Sequence, residues 1–105
     1  MKTLSLHNQL VEWRHEFHMY PEIGFEEKRT SARVAKLLTE FGLEVHQGVG
    51  KTGVIGVLKK GSSNKSIGLR ADMDALPINE KNNFNYISKN EGRMHACGHD
   101  GHTTM

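Results

Sequence analysis

The densest chemistry in this 105-residue chain is the run Met94-His95-Ala96-Cys97-Gly98-His99-Asp100-Gly101-His102. A cysteine thiolate and an imidazole separated by one glycine can reach a common metal ion from a tight turn, because glycine lets the backbone bend and the flanking side chains converge. Asp100 is placed to orient an imidazole from behind, and His95 is a further nitrogen donor. Two strong donors do not complete a site, since an open catalytic centre uses about three protein ligands and a structural one about four. On spacing alone, metal binding and a free cysteine in a histidine-rich loop stand level. Residues this close in sequence rarely all point inward, so the missing donors are expected from elsewhere.

The second constellation is Arg70-Ala71-Asp72-Met73-Asp74-Ala75-Leu76-Pro77. In an extended chain, carboxylates two residues apart share a side, here at the carboxyl end of an apolar run, where α/β sheets collect their sites. Asp72 and Asp74 can ligate a cation or orient a metal-bound imidazole. Taken by itself the motif reads better as a strand end capped by solvated acids beside Arg70; the two motifs together shift the balance toward a metal. Gly48-Val49-Gly50-Lys51-Thr52 looks like the end of a phosphate-cradling loop, but Val45 stands where the first glycine is required, and Lys51 and Thr52 are better read as a hairpin turn. His15 and His18, three apart, read as polar-face or helix-end groups.

The elements that must position these residues follow from periodicity. Leu6, Leu10, Val11, Trp13 and Phe17 predict a helix over residues 4–19, ended by Pro21, which disfavours helical geometry at Tyr20. Ala32, Val34, Ala35, Leu37, Leu38 and Phe41 predict a second helix over 27–41, stopped by Gly42. Leu43 and Val45, then Val54 to Leu58, predict two strands joined by a glycine-rich turn, and Ile67 to Ala71 predicts a third. An irregular segment then runs to Gly92, with Lys81 to Asn85 as a surface loop. Helices against a sheet give an α/β layer arrangement.

Composition excludes several classes. Fourteen Lys and Arg against twelve Asp and Glu give a formal charge of +2, with no concentrated basic footprint for nucleic acid. No apolar stretch approaches the roughly 20 residues of a membrane span. One cysteine excludes an internal disulfide framework. The opening residues lack the apolar run of a secretory signal, so a cytoplasmic location is expected. The last predicted strand ends near residue 71 and the final run looks like the start of another element, so the chain is expected to be the N-terminal part of a larger domain.

Arg14, His18-Met19-Tyr20-Pro21-Glu22-Ile23-Gly24-Phe25, Glu27 and Thr30, then Gly68 to Pro77, then Met94 to Thr103 resemble, in order and spacing, the opening of the M20 family of metal-dependent amidohydrolases. The nearest branch is that of hippurate hydrolases and other N-acyl-amino-acid amidohydrolases. The resemblance implies an α/β fold, with residues 1–105 forming an incomplete N-terminal part of a mixed-sheet, metallo-aminopeptidase-like catalytic domain, and the family's dimerisation domain absent. It implies two divalent metal ions (zinc, manganese, nickel or cobalt), a small N-acyl amino acid as substrate, and a homodimer of the full-length protein. Cys97 and His99 would be metal ligands and Asp74 the catalytic-support residue. Asp72 stands where other branches place a ligand histidine, and His95, Asp72 and Asp100 are the weaker metal candidates. The family's glutamate general base and its later ligands lie beyond the motifs present here, so the 105-residue chain by itself is expected to be inactive. The alternative is a small non-catalytic metal-binding or interaction module.

Overall fold

The computed structural model describes the backbone of residues 2–105 and the side chains of residues 5–105. Its elements are helix α1 (Lys2–Met19), helix α2 (Lys28–Glu40), strand β1 (Glu44–Val49), strand β2 (Gly53–Val57) and a short helix α3 (His99–Thr104). The two strands form an antiparallel hairpin in which Glu44 faces Val57 and His46 faces Ile55, with a register shift between Gln47 and Val49. Lys51 sits in the turn with φ of 84°, as a hairpin tip requires. Both long helices and the hairpin therefore form where periodicity placed them.

Helix α2 lies on the hairpin, with Leu38 facing strand β2. The approach is closest at Gly56, where a Cβ would stand 2.9 Å from the Leu43 side chain and 3.1 Å from Leu38. A side chain there would have to displace the ends of these two leucines, so the close approach favours glycine. Phe17, Ala35, Leu37 and Ala75 are the buried apolar side chains among the described residues, and Trp13 meets Phe41 at 5.8 Å between ring centroids. The apolar stripe of α1 is only partly covered: Phe17 is buried, while Leu6 and Val11 are exposed.

The start of α2 is built from a distance. Its N-cap residue, Glu27, makes no side-chain capping bond. Instead the Glu22 carboxylate accepts from the Thr30 N–H and hydroxyl, each at 2.7 Å, and from the Arg29 N–H at 3.0 Å. An anion at the unsatisfied N–H groups of a first turn is favoured by both the hydrogen bonds and the helix dipole. The same loop ties the rest of the chain together through its backbone. The Ala75 N–H donates to the Glu22 carbonyl, the Lys89 N–H to the Met19 carbonyl, and the Asn90 amide to the Pro21 carbonyl.

One expectation needs correction. Residues 67–71 are not a strand: Ile67 is 87% exposed, Leu69 92%, and the segment joins no ladder among the described residues. An alternating apolar pattern becomes a strand only when a neighbour takes its backbone groups, and β1 and β2 pair with each other. The segment instead borders an open apolar groove of about 620 Å³ with Leu38, Leu43, Leu58 and Met73. Helix α3 was not foreseen, because six residues carry no readable apolar period. Among the described residues, no helix is long and apolar enough to cross a membrane.

Candidate metal centre

The segment from Asp72 to Asp74 and the turn at Cys97-Gly98-His99 come together at the start of α3. Leu76 and Met94 form an isolated antiparallel bridge, which fixes the two segments side by side. Gly98, the residue before α3, has φ of 89°, a conformation that a side chain would strain. It turns the chain between Cys97 and His99, as the spacing predicts. The Thr103 hydroxyl then donates to the Asp72 carbonyl at 2.9 Å, closing the far side.

The clearest local geometry is at His99. Its Nδ1 lies 3.0 Å from the Asp74 carboxylate and 2.9 Å from the Asp74 carbonyl, both acceptors, so Nδ1 carries the proton. Nε2 is left with its lone pair free, 4.0 Å from the Asp72 carboxylate. This is the arrangement in which a carboxylate fixes the tautomer of a metal-binding imidazole. Cys97 is a free, exposed thiol two residues away. A soft sulfur and an imidazole nitrogen suit zinc, nickel or cobalt. Among the described residues, however, no group of three or more His, Cys, Asp or Glu side chains converges to hold an ion. The donors fit part of a metal site.

The weaker candidates sit elsewhere. Asp100 is 3% exposed and points away from His99 into a buried network, where its Oδ2 accepts from His18 Nδ1 at 2.8 Å and from Arg14 Nε at 3.1 Å. His18 Nε2 lies 2.9 Å from Glu80, whose carboxylate also accepts from the Ser88 N–H and the Asn82 amide. The imidazole that Asp100 orients is thus that of His18. His18 is itself 2% exposed, which corrects its reading as a polar-face group. The loop Lys81–Asn85 is exposed except at Phe84, as expected, and the aromatic side chains at its end reach α1: Phe84 stacks on Tyr86 at 3.9 Å and Tyr86 on His15 at 3.7 Å. His95 is buried, and neither ring nitrogen has a hydrogen-bond partner among the described residues.

These environments set charges. Burial alone would raise the carboxyl of Asp100, but the His18 hydrogen bond, the Arg14 charge and the Gly101 N–H hold it below its ordinary value. At Glu80 burial likewise pushes upward and is outweighed by Asn82, His18 and Ser88. Burial lowers His95, with the Asp100 charge opposing. A depressed carboxylate contributes stability above its unfolded value that is lost as pH falls through the folded value. A depressed histidine does the same, because the unfolded chain takes up the proton first. The urea midpoint is therefore expected to fall in two limbs, one starting near about pH 6.5 from His95 and one below about pH 4 from Asp100 and Glu80. Asp100→Asn flattens the lower limb; a profile level from pH 8 to 3 contradicts these assignments.

The two long helices and the antiparallel hairpin make a mixed α/β arrangement, as the periodicity predicts. The YxeP protein of Bacillus subtilis, described as a dinuclear metal-binding peptidase of the M20 family, superposes with a TM-score of 0.90 at 40% identity, over 95% of this chain and 28% of that one. Residues 68–105 match the model of peptidase family M20/M25/M40, and the chain is similar to members of that family along nearly its whole length. Hippurate hydrolase of Campylobacter jejuni is 59% identical over 103 residues, covering 98% of this chain and 27% of that protein. N-acyl-L-amino acid amidohydrolase of Geobacillus stearothermophilus is 46% identical over 97 residues, covering 91% and 26%. The chain thus spans about a quarter of the length of these relatives.

Proposed function

We propose that this chain supplies one half of the metal centre of an amide hydrolase acting on N-acyl amino acids, with Cys97 and His99 as ligands and Asp74 as the support of His99. The observation that carries the reading is the Asp74–His99 pair, which turns Nδ1 to Asp74 and leaves Nε2 facing outward, two residues along the chain from a free, exposed thiol, in a sequence 59% identical to a hippurate hydrolase. Two divalent ions, when bound, supply a Lewis acid for the scissile carbonyl and a water acidic enough to be hydroxide near neutral pH.

The chain's own residues hold and aim. Cys97 binds through sulfur and His99 through Nε2, and Asp74 keeps the His99 proton on Nδ1. Asp72 faces the same imidazole edge and adds negative charge that favours a cation. The general base and the remaining ligands are assigned to a longer product that contains these residues, as are homodimer formation and the cytoplasmic location.

The test is to isolate from source cells the product recognised by an antibody to residues 1–105. Its hydrolysis of N-benzoylglycine and N-acetyl amino acids is then measured before and after chelation. The reading predicts a product several times 11.8 kDa whose turnover disappears with chelator and returns with zinc, manganese, nickel or cobalt. Chelator-resistant turnover, or none on any N-acyl amino acid, overturns it. A product of 11.8 kDa that self-associates favours instead a small interaction module, for which the exposed apolar segment at Ile67 and Leu69 would be the contact.

A further inference from the structure

The side chain of His18 spans the interior between α1 and the metal turn. One ring nitrogen meets Asp100 and the other meets Glu80, 82 and 62 residues away in sequence. Asp100 directly follows His99, and its second carboxylate oxygen accepts the Gly101 N–H at 2.9 Å. Helix α3 is only six residues long, and its capping residue is a glycine with no side chain to offer. A helix that short has no stability of its own, so its direction is set by what grips it. The grips are few: Asp100 on His18 and Arg14, Thr103 on the Asp72 carbonyl, and His99 on Asp74.

We infer that His18 is a positioning residue for the metal centre: by holding Asp100 it sets the direction in which α3 leaves the Cys97-Gly98-His99 turn, and with it the placement of the thiol and of His99 Nε2. This rests on the metal-centre reading above. The Glu80 contact at the opposite nitrogen braces the ring, and Arg14 adds a second donor to the same Asp100 oxygen. Because Asp100 is buried, loss of the His18 donor leaves its Oδ2 held by Arg14 alone, a side chain 38% exposed, and the weakened grip lets the start of α3 shift.

The two nitrogens can be tested separately. In His18→Asn the amide nitrogen falls near the position of Nδ1 and keeps a donor for Asp100; in His18→Gln it falls near Nε2 and keeps one for Glu80. Cobalt affinity is read from the thiolate-to-cobalt charge-transfer absorption. Amide exchange at His102, whose N–H donates to the Gly98 carbonyl, is read in metal-free protein. His18→Asn is expected to bind Co2+ within about 3-fold of the unaltered protein, and His18→Gln about 10-fold more weakly with faster exchange at His102. Equal losses in both variants, or a His18→Gln protein unchanged in both readouts, overturns the inference.

Should His18→Gln unfold the protein, Arg14→Gln removes the other grip from a side chain that is 38% exposed. Its expected effect is a weakening of about 3-fold with the same exchange signature, and no change in either readout sinks the idea. If the unaltered protein gives no charge-transfer band with Co2+, it is the metal-centre reading that fails. The exchange comparison then decides on His18 alone: protection kept in asparagine and lost in glutamine supports its role, and equal protection refutes it.

Discussion

Replacing His99 with alanine is expected to lower the affinity of the protein for Zn2+ or Co2+ by at least about 100-fold, because on the proposed reading it removes a ligand outright, where loss of a ligand's supporting partner alone costs about 10- to 100-fold. Cys97→Ala is expected to match it and also to abolish the thiolate-to-cobalt absorption. Asp74→Ala belongs at the low end of the supporting range, about 10-fold. The Asp74 main-chain carbonyl still accepts from Nδ1 at 2.9 Å, so the tautomer survives the loss of the carboxylate. Competition with a chromophoric chelator measures all three. An alanine at position 99 that binds as tightly as the unaltered protein would remove His99 from the centre.

Glu22→Ala carries the second large effect, and it acts on stability. The Glu22 side chain accepts three hydrogen bonds from the first turn of α2, and no other side chain caps that turn. Hydrogen bonds to a charged group contribute about 1.5 to 3 kcal/mol each, and a missing cap costs about 1. Allowing for partial exposure and for water replacing some of the lost partners, the expected loss is about 3 kcal/mol, on the order of 10 to 20 °C in Tm. Glu22→Gln retains one acceptor oxygen without charge and falls between. A loss under about 0.5 kcal/mol by urea unfolding would mean that Glu22 does not cap α2.

What could be read in the sequence was whatever is local. The spacing of Val34, Ala35, Leu37 and Leu38 defines the apolar face of α2, and the glycines around Lys51 mark the hairpin tip. Pro21 marks the end of α1 to within two residues. The Cys97-Gly98-His99 turn was legible because glycine between two donors has a conformational meaning, and its φ of 89° agrees. Ile67 to Ala71 misled because apolar alternation records a preference for a neighbour and does not supply one. His18 was out of reach for the opposite reason. A histidine on a helix has no local signature of burial, and its partners, Glu80 and Asp100, are separated from it by most of the chain. His95 looked like a donor by proximity to Cys97, yet it faces the interior without a hydrogen-bond partner among the described residues.

The long reach of the His18 contact also has a cost in time. Ribosomes add roughly 5 to 20 residues per second, so the 82 residues from His18 to Asp100 take about 4 to 16 s to synthesise. Helix α1 and the hairpin can form within microseconds of emerging. Until Glu80 is made, 62 residues after His18, the imidazole has neither carboxylate to meet, and it waits longer still for Asp100 with the surface around it open to solvent and to other chains. The turn that carries Cys97 and His99 therefore acquires its final orientation only after the last residues of this stretch have been made.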